Sequence, residues 1–282
     1  MFAPRNLLII LGVLAILVGF AAGRLVGRTS SRLTFLSVGQ GDCTVWQDGE
    51  VTILIDVGPR SPEGFDAGER IVVPKLRRLG VPQVAAILLT HPDSDHIGGL
   101  RAVLSRYRKA KVFASAAFRA SAEFQIHLRD SGLNVDDVLW VEEDITLRLP
   151  NSSLEIAAPK LLAGASDNEG SLFIRIVADK GSAVITGDAY IATEETMQKR
   201  LKWNAQILKA GHHGSRTSSG QAFIRGLNPT WGIVSCGRDN QFGHPHPSVL
   251  KAFQDEGVEI LRTDRDGDLS FVPGSAGFSR VH

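Results

Sequence analysis

The longest apolar run of the chain lies near its amino terminus. Residues 7–23 carry no charge, Arg5 precedes them, and the next arginine is Arg24. A helix needs about 17–25 apolar residues to cross a bilayer, whereas the apolar region of a signal peptide has about 7–15. Residues 1–31 are therefore predicted to contain one transmembrane or signal-anchor helix. A cleaved signal that ends at Ala21-Ala22-Gly23 is the alternative.

Beyond this run, residues 32–282 alternate short apolar segments with polar turns, and they are predicted to form one α/β domain. Asp48-Gly49 between two β-branched runs is a hairpin signal. The run at residues 84–89 is apolar throughout and predicts a strand that is buried on both faces. Helical spacing predicts helices at residues 71–79, 100–108, 117–131, 191–202 and 247–254. Strand patterns mixed among them predict two sheets covered by helices.

The composition adds limits to this picture. The apolar fraction of 43% and the charged fraction of 22% are ordinary for a globular protein. A net charge of +1 gives no global basic field of the kind that attracts nucleic acid, although metal ions in a site can neutralise phosphates locally. The two cysteines, Cys43 and Cys236, are too few for a disulfide framework and are predicted to be small buried apolar side chains.

Candidate chemistry concentrates in the polar loop that follows the buried strand, Thr90-His91-Pro92-Asp93-Ser94-Asp95-His96. Loops at strand ends are where α/β folds place reactive groups. Neighbouring carboxylates repel one another unless a cation neutralises them, and divalent cations coordinate imidazole nitrogen and carboxylate oxygen together. In an extended loop residues 91, 93 and 95 would lie on one side, while His96 turns back with the following helix. The loop therefore predicts four metal ligands for two adjacent ions: His91, Asp93, Asp95 and His96.

The pattern His-x-Asp-x-Asp-His-x-Gly-Gly resembles a variant of the metallo-β-lactamase superfamily motif. More narrowly, the order and spacing of seven segments resemble the hydrolase domain of ComEC-type DNA-uptake (competence) proteins. The segments are Val38-Gly39-Gln40-Gly41-Asp42, Ile55-Asp56-Val57-Gly58, residues 89–99, residues 168–171, Thr186-Gly187-Asp188, His212-His213-Gly214-Ser215 and Gly243-His244-Pro245. The resemblance implies an αββα sandwich with a metal site at the open edge of its two sheets.

The resemblance also gives roles to single residues. It implies that Asp188 is the carboxylate that bridges both ions, and that Asp56 orients metal-bound histidines. Without it, either residue would be interpreted as a turn or cap carboxylate, and His212-His213 equally as a surface pair. Two adjacent histidines cannot easily face one metal, so His213 is assigned as a ligand and His212 to the substrate.

Other candidates lie around the substrate position. His244 is interpreted as a proton donor to the leaving group, and Asp95 as both a metal ligand and the group that orients the nucleophile. Further predicted substrate contacts are His212, Ser215, Asn168 and Asn240. Asn168 stands where the superfamily usually supplies a histidine, and Asp93 also replaces one. Zinc is the first expectation for the two divalent ions, with Mn²⁺ or Mg²⁺ as alternatives because one site is poor in nitrogen.

The predicted function is that of a phosphodiesterase or nuclease that uses a hydroxide activated by two metal ions. Its substrate would be single-stranded DNA or a small phosphodiester. One alternative is a hydrolase of a small ester, lactone or nucleotide, and another is a metal-binding regulatory module with a degraded site. An open basic groove with Arg216, Lys209 or Arg238 would favour a polymer, whereas a closed apolar pocket would favour a small ester.

The predicted location is the cell membrane, through a single-pass anchor, with a secreted or periplasmic protein as the outcome of signal cleavage. The arginines that follow the apolar run favour a cytoplasmic main domain. ComEC-type proteins carry many membrane spans that form a channel, and this chain has at most one by the sequence pattern. DNA uptake would therefore need a membrane channel partner.

Overall fold

The computed structural model describes residues 31–161 and 165–281, so the predicted anchor at residues 7–23 lies outside the described residues. No helix within these two ranges is long and apolar enough to cross a membrane. The described strands are β1 (Arg32–Phe35), β2 (Thr44–Asp48), β3 (Val51–Ile55), β4 (Ala86–Leu89), β5 (Lys111–Ser115), β6 (Val138–Val141), β7 (Ile145–Arg148), β8 (Ser152–Ala157), β9 (Phe173–Ala178), β10 (Gly181–Ile185), β11 (Ile207–Lys209), β12 (Trp231–Val234), β13 (Glu259–Arg262), β14 (Leu269–Gly274) and β15 (Gly277–Val281).

Short helices connect these strands. The α-helices of the described ranges are α1 (Val73–Arg78), α2 (Ser94–Ile97), α3 (Leu100–Arg106), α4 (Ala122–Asp130), α5 (Ile191–Leu201), α6 (Gln221–Leu227), α7 (Pro247–Asp255) and α8 (Thr263–Asp266). A π-helical turn, Gly68–Val72, leads into α1. Tighter 3₁₀ turns occupy Ala116–Phe118, Val135–Asp137, Asn168–Gly170 and Gly211–Gly214.

The strands form two mixed sheets. The eight-stranded sheet has the order β15-β14-β1-β2-β3-β4-β5-β6, and the seven-stranded sheet has the order β13-β12-β11-β10-β9-β8-β7. Strands β3 to β6 are parallel, as are β10 to β13, and the remaining pairs are antiparallel. Each sheet therefore contributes four parallel strands whose carboxyl ends share one edge.

Three apolar layers hold the sheets and helices together, and strand β4 shows how. Ala86 and Leu88 belong to the core between the two sheets, whereas Ile87 and Leu89 belong to the core beneath the helices. Alternate side chains of a strand point to opposite faces, so a strand covered on both faces is apolar at every position. A third core lies between the seven-stranded sheet and helices α5, α6 and α7. The predicted αββα sandwich is confirmed.

Local predictions hold less well than the architecture. The helix predicted from residue 117 begins only at Ala122, because Ala116–Phe118 forms a 3₁₀ turn and the Ser121 hydroxyl accepts a hydrogen bond from the Phe124 N–H, which caps α4. Helices α6 and α8 and strand β15 are absent from the sequence-based predictions. Cys43 and Cys236 are free and buried, as predicted.

Gly98 and Gly99 join α2 to α3 where the chain is tightly packed. A Cβ at Gly98 would collide with backbone atoms of Arg60 and Ser94. We expect Gly98→Ala to lower the free energy of unfolding by about 1–3 kcal/mol, because backbone atoms cannot move aside as a flexible side chain can. Urea unfolding measures this change.

Gly274→Ala in β14 is the matched control for this substitution. Its Cβ would meet only the Gly277 carbonyl oxygen, at 3.7 Å, which is ordinary van der Waals contact. We expect little change in this variant. Equal free energies of unfolding for the two variants would contradict the prediction, because they would show that the backbone around Gly98 can move to accommodate a Cβ.

Candidate metal centre

The carboxyl ends of parallel strands from both sheets bring the polar loops together. Asp56 follows β3, the Thr90–His96 loop follows β4, Asp188 follows β10 and His213 follows β11. All of these strands end at the same edge of the sandwich, so side chains that are far apart in sequence meet there.

The Thr90–His96 loop is not extended along its whole length, and the predicted alternation of residues 91, 93 and 95 is wrong beyond Asp93. Asp93 is extended (φ −61°, ψ 140°), but it directly precedes α2. The His96 and Ile97 amides donate to the Asp93 carbonyl at 2.9 and 3.1 Å, so Asp95 and His96 both lie in a helical turn. These local hydrogen bonds stabilise a helical turn at residues 94–97 in place of the extended conformation that was predicted there.

One half of the cluster is formed around His91. Its Nε2 atom lies 3.5 Å from Asp93 Oδ2 and 3.8 Å from Asp188 Oδ2. His91 is fully buried, whereas the Asp93 side chain is 40% exposed. This half has one imidazole, and the carboxylate of Asp93 is open to solvent.

The other half lies on the opposite side of Asp188. His96 Nε2 is 3.1 Å from Asp188 Oδ1, and His213 Nε2 is 3.7 Å from Asp188 Oδ2 and 3.0 Å from Asp95 Oδ2. The Asp188 carboxylate therefore lies within 3.8 Å of imidazole nitrogens in both halves of the cluster. The structure brings together all six residues predicted as ligands.

These donors fit a divalent metal. His91 Nε2, His96 Nε2 and Asp188 Oδ1 are buried and have no hydrogen-bond partner among the described residues. Buried polar atoms are rarely left unpaired, and imidazole nitrogen with carboxylate oxygen is a donor set of zinc and related ions. Ligand oxygens and nitrogens of one ion lie about 3–3.5 Å apart when its bonds are about 2.1 Å. The separations in the cluster are close to this spacing.

Hydrogen bonds at Nδ1 orient two of the rings. His96 Nδ1 donates to Asp56 Oδ2 at 2.8 Å, and His213 Nδ1 donates to the Ser235 carbonyl at 3.0 Å. Asp56 also accepts from the amide and the hydroxyl of Thr90, both at 2.8 Å. The Ser235 carbonyl can only accept, and both Asp56 oxygens already accept from Thr90, so the proton is assigned to Nδ1 in each ring and the Nε2 atoms face the cluster. Thr90 and Ser235 were not predicted, although each directly follows an apolar strand.

The electrostatics show that the cluster attracts positive charge. Burial acts to lower the pKa of His96, but Asp188 and Asp56 raise it well above its usual value. Burial likewise acts to raise the pKa of Asp188, but His96, His213 and His91 hold it well below its usual value. Asp188 therefore stays ionised, and a proton is held on His96 when no other cation is bound.

The sequence did not predict that Lys209 and Asp42 form a buried ion pair at the site. Lys209 is fully buried and Asp42 is 3% exposed, and the Lys209 ammonium forms an ion pair with Asp42 Oδ2. Burial acts to lower the pKa of Lys209, but Asp42 and Asp188 raise it. Lys209 cannot contribute to an open basic groove, because its side chain is fully buried and paired with Asp42. The sequence signal that could have indicated Asp42 was its position in the Gly39-Gln40-Gly41-Asp42 segment.

Asp42 also completes a compact donor group. Asp42, His96, Asp188 and His213 each offer an atom within 4.8 Å of the others, and all four side chains are buried. However, the Asp42 oxygens are 3.8 Å from the Nδ1 atoms of His96 and His213, not from their Nε2 atoms. Asp42 is therefore on the other side of the two rings from Asp188.

The backbone of the His212-His213-Gly214 turn is left-handed at all three residues, with φ of 47°, 54° and 81°. His212 Nε2 consequently lies 3.6 Å from Asp188 Oδ2, a distance similar to that of His213. The expectation that adjacent histidines cannot both face one position is not met here. Such backbone strain is concentrated at functional sites.

The remaining predicted substrate contacts lie in the loops around this turn. Ser215 Oγ is 3.0 Å from Thr217 Oγ1, which in turn is 3.3 Å from His212 Nδ1. The Asn240 amide donates to the carbonyls of Gly237 and His244, so it braces its own loop. Within the described ranges, no hydrogen bond or ion pair joins the Asn168 side chain to the cluster.

His244 stands at the mouth of the cluster. Its ring is stacked on His213 with centroids 6.3 Å apart, and Phe242 stacks near it at 5.7 Å. Burial and the neighbouring His213 and His212 lower the pKa of His244 to about 4, so its ring is neutral at neutral pH. Gln40 Oε1 accepts from the Gly237 amide, which turns its Nε2 toward His244 Nδ1 at 3.4 Å. This arrangement favours the His244 proton on Nε2. His246 caps α7 by accepting from the Ser248 amide.

A cleft of about 570 Å³ opens beside His244. It is lined by Arg238, Asp239, Asn240, His244, Arg262, Asp264 and Arg265. Arg262 is paired with Asp264, whereas Arg238 and Arg265 are exposed and Arg238 donates only to a backbone carbonyl. Phe242 on the same loop is 59% exposed. The cleft beside His244 is therefore open, polar and partly basic.

The chain is similar to two curated bacterial proteins along most of its length. It is 29% identical over 261 residues to ComE operon protein 3 of Bacillus subtilis, which covers 86% of this chain and 33% of that protein. It is 28% identical over 278 residues to Competence protein ComA of Neisseria gonorrhoeae, covering 97% of this chain and 37% of that protein. The chain thus spans about a third of the length of these curated relatives.

Solved structures share the fold. The metallo-beta-lactamase fold protein YhfI from Bacillus subtilis aligns with a TM-score of 0.57 at 13% identity, covering 86% of this chain and 100% of that one. CmlA from Streptomyces venezuelae, a diiron beta-hydroxylase, aligns with a TM-score of 0.56 at 16% identity, covering 86% of this chain and 54% of that one. Residues 36–237 match the model of the metallo-beta-lactamase superfamily. The chain belongs to the metallo-beta-lactamase superfamily.

Proposed function

We propose that this chain is a metal-dependent phosphodiesterase that cleaves single-stranded DNA. The observation that carries the proposal is the buried cluster around Asp188, which has unpaired imidazole and carboxylate atoms and lies next to His244, a lining residue of a cleft with exposed arginines. Divalent ions held there would lower the pKa of a water and stabilise the charge that develops on a phosphoryl group. His91 and Asp93 would hold one ion, Asp95, His96 and His213 the other, and Asp188 would contact both.

The shape of the mouth favours a polymer over a small ester. Pockets for small ligands are mostly enclosed and apolar, whereas this cleft is open and is lined by charged side chains. Arg238 and Arg265 can neutralise backbone phosphates, and the exposed ring of Phe242 can stack on a base. Single-stranded nucleic acid offers both groups, because its bases are unpaired.

The residues of the chain have separate tasks in this proposal. Asp95 Oδ2 lies 3.0 Å from His213 Nε2, and the Asp95 carboxylate orients the attacking water. His244 is neutral at neutral pH, so it donates a hydrogen bond through Nε2 to the leaving oxygen and does not deliver a full proton. His212 faces Asp188 from the exposed side and contacts the substrate phosphate.

The wider role is proposed from the relatives. One of them is named a competence protein, which supports action on DNA that enters a cell. A membrane anchor at residues 7–23 and a separate membrane channel partner belong to the same proposal. They would place the hydrolase beside a translocating strand.

The test is an assay of the metal-loaded full chain on three substrates: single-stranded DNA, bis-p-nitrophenyl phosphate and a lactone. We expect hydrolysis of the two phosphodiesters with Mn²⁺ or Zn²⁺, and none of the lactone. Phe242→Ala is expected to raise the KM for single-stranded DNA about tenfold, because stacking on one base contributes about 1–3 kcal/mol. The KM for bis-p-nitrophenyl phosphate should change much less.

Two controls accompany this assay. Asp95→Ala should remove all metal-dependent turnover, and Ile126→Ala removes a similarly exposed apolar side chain from α4 without affecting DNA cleavage. Lactone hydrolysis alone would support the small-ester alternative. Metal binding without turnover on any substrate would instead support a regulatory module.

A further inference from the structure

The buried ion pair of Asp42 and Lys209 crosses from one sheet to the other. Asp42 lies in the connection between β1 and β2 of the eight-stranded sheet, and Lys209 is the last residue of β11 in the seven-stranded sheet. The Asp42 amide donates to the Asp95 carbonyl at 3.1 Å, and the Gly58 amide donates to the Asp42 carbonyl at 2.8 Å. The backbone of Asp42 is thus held against the loop that carries Asp95.

The position of Asp42 does not suit a metal ligand. Its oxygens are 3.8 Å from the Nδ1 atoms of His96 and His213, and both Nδ1 atoms already donate, to Asp56 and to the Ser235 carbonyl. An ion held by the Nε2 atoms lies on the opposite side of these rings. Asp42 therefore has Lys209 as its partner.

Lys209 is the one lysine or arginine among residues 31–161 and 165–281 whose side chain is buried. It lies among three buried carboxylates, those of Asp42, Asp56 and Asp188. A buried charge is strongly disfavoured unless an opposite charge accompanies it. A fixed cation that interacts electrostatically with Asp188 also repels any second cation that this carboxylate binds, because charges interact strongly in a protein interior.

We propose that Lys209 and Asp42 are positioning residues that set the charge of the metal centre, with Lys209 weakening divalent-ion binding and Asp42 offsetting Lys209 without touching the ion. This inference rests on the metal centre of the proposed function. It explains why a lysine is buried at this site, for which the superfamily resemblance implies no buried lysine. Because the two charges cancel, the pair leaves the net charge of the centre unchanged, and each buried charge stabilises the other in the metal-free fold.

The test is a double-mutant cycle on the full chain, with Mn²⁺ affinity measured by calorimetric titration. Lys209→Met is expected to tighten Mn²⁺ binding about tenfold or more, and Asp42→Asn to weaken it by a similar factor. The double variant restores the original net charge, so its affinity should return to within about twofold of the unmodified chain. Thermal unfolding of the metal-free proteins should show both single variants destabilised and the double variant partly recovered.

Two results would overturn the inference. A double variant that binds Mn²⁺ as weakly as Asp42→Asn would make Asp42 a ligand, and weaker binding in both single variants would make the pair structural only. Because binding is measured without hydrolysis, a chain that binds Mn²⁺ with the expected pattern but cleaves no DNA would refute the proposed function alone.

Discussion

Replacing Asp188 by asparagine is expected to abolish metal binding and hydrolysis together. Asp188 is buried, and the Nε2 atoms of four histidines lie 3.1 to 3.8 Å from its oxygens: His91, His96, His212 and His213. Asparagine keeps the shape, but it removes the charge and turns one oxygen into an N–H donor that repels a cation. The loss of several kcal/mol of charge stabilisation corresponds to a decrease in kcat/KM of about 10³-fold or more.

The measurement pairs bound metal, by elemental analysis of the purified protein, with turnover of bis-p-nitrophenyl phosphate. Asp179→Asn is the matched control, because Asp179 lies in the exposed turn between β9 and β10 with φ of 51°, a conformation that asparagine adopts readily. The control should retain both metal and activity. Full metal content in Asp188→Asn would show that Asp188 is not the residue shared by the two halves.

The second large effect is expected at Asp56, which does not contact the predicted ions. Asp56 is fully buried and accepts three hydrogen bonds, two from Thr90 and one from His96 Nδ1. Asparagine has one acceptor oxygen, so Asp56→Asn leaves at least one of these donors unpaired and frees the His96 ring to turn. Loss of such a partner typically lowers metal affinity about 10–100-fold. Mn²⁺ titration measures this change.

The backbone at Asp56 makes this substitution informative. Its φ is 59°, and asparagine tolerates this left-handed conformation as well as aspartate does, so backbone strain is not added. Thr90→Ser keeps the hydroxyl that donates to Asp56 and serves as the milder control. Unchanged Mn²⁺ affinity in Asp56→Asn, with the fold intact by circular dichroism, would remove Asp56 from the metal centre.

The fold was readable from the sequence because its signals are local. Strand β4 is apolar at every position, and this pattern alone indicates burial on both faces. The Asp48-Gly49 turn correctly predicted the antiparallel pairing of β2 with β3. Helix α6 was missed although Phe223, Ile224 and Leu227 share one buried face. Seven residues span only two turns, too short for the periodicity to stand out.

The candidate ligands were also readable, because metal-binding residue types are densely clustered between His91 and His96. What the sequence could not supply was the direction of each side chain. Local helical hydrogen bonds in α2 changed the predicted geometry of Asp95, and the left-handed backbone of His212 and His213 turned both rings toward Asp188. Backbone conformation of this kind depends on packing around the loops.

The contact between the charges of Asp42 and Lys209 could be found only in the tertiary structure. The hydrophobic pattern predicted two sheets covered by helices, and the resemblance of seven segments to the metallo-β-lactamase superfamily implied the sandwich and several of the residues that can bind a metal. Asp42 and Lys209 are 167 positions apart in the sequence, and nothing local to either one indicates the other. They meet because β11 and the connection between β1 and β2 end at the same edge of two packed sheets. Only the tertiary structure could show this pair, because a buried charge is stabilised by the opposite charge that packs next to it and not by its neighbours in the sequence.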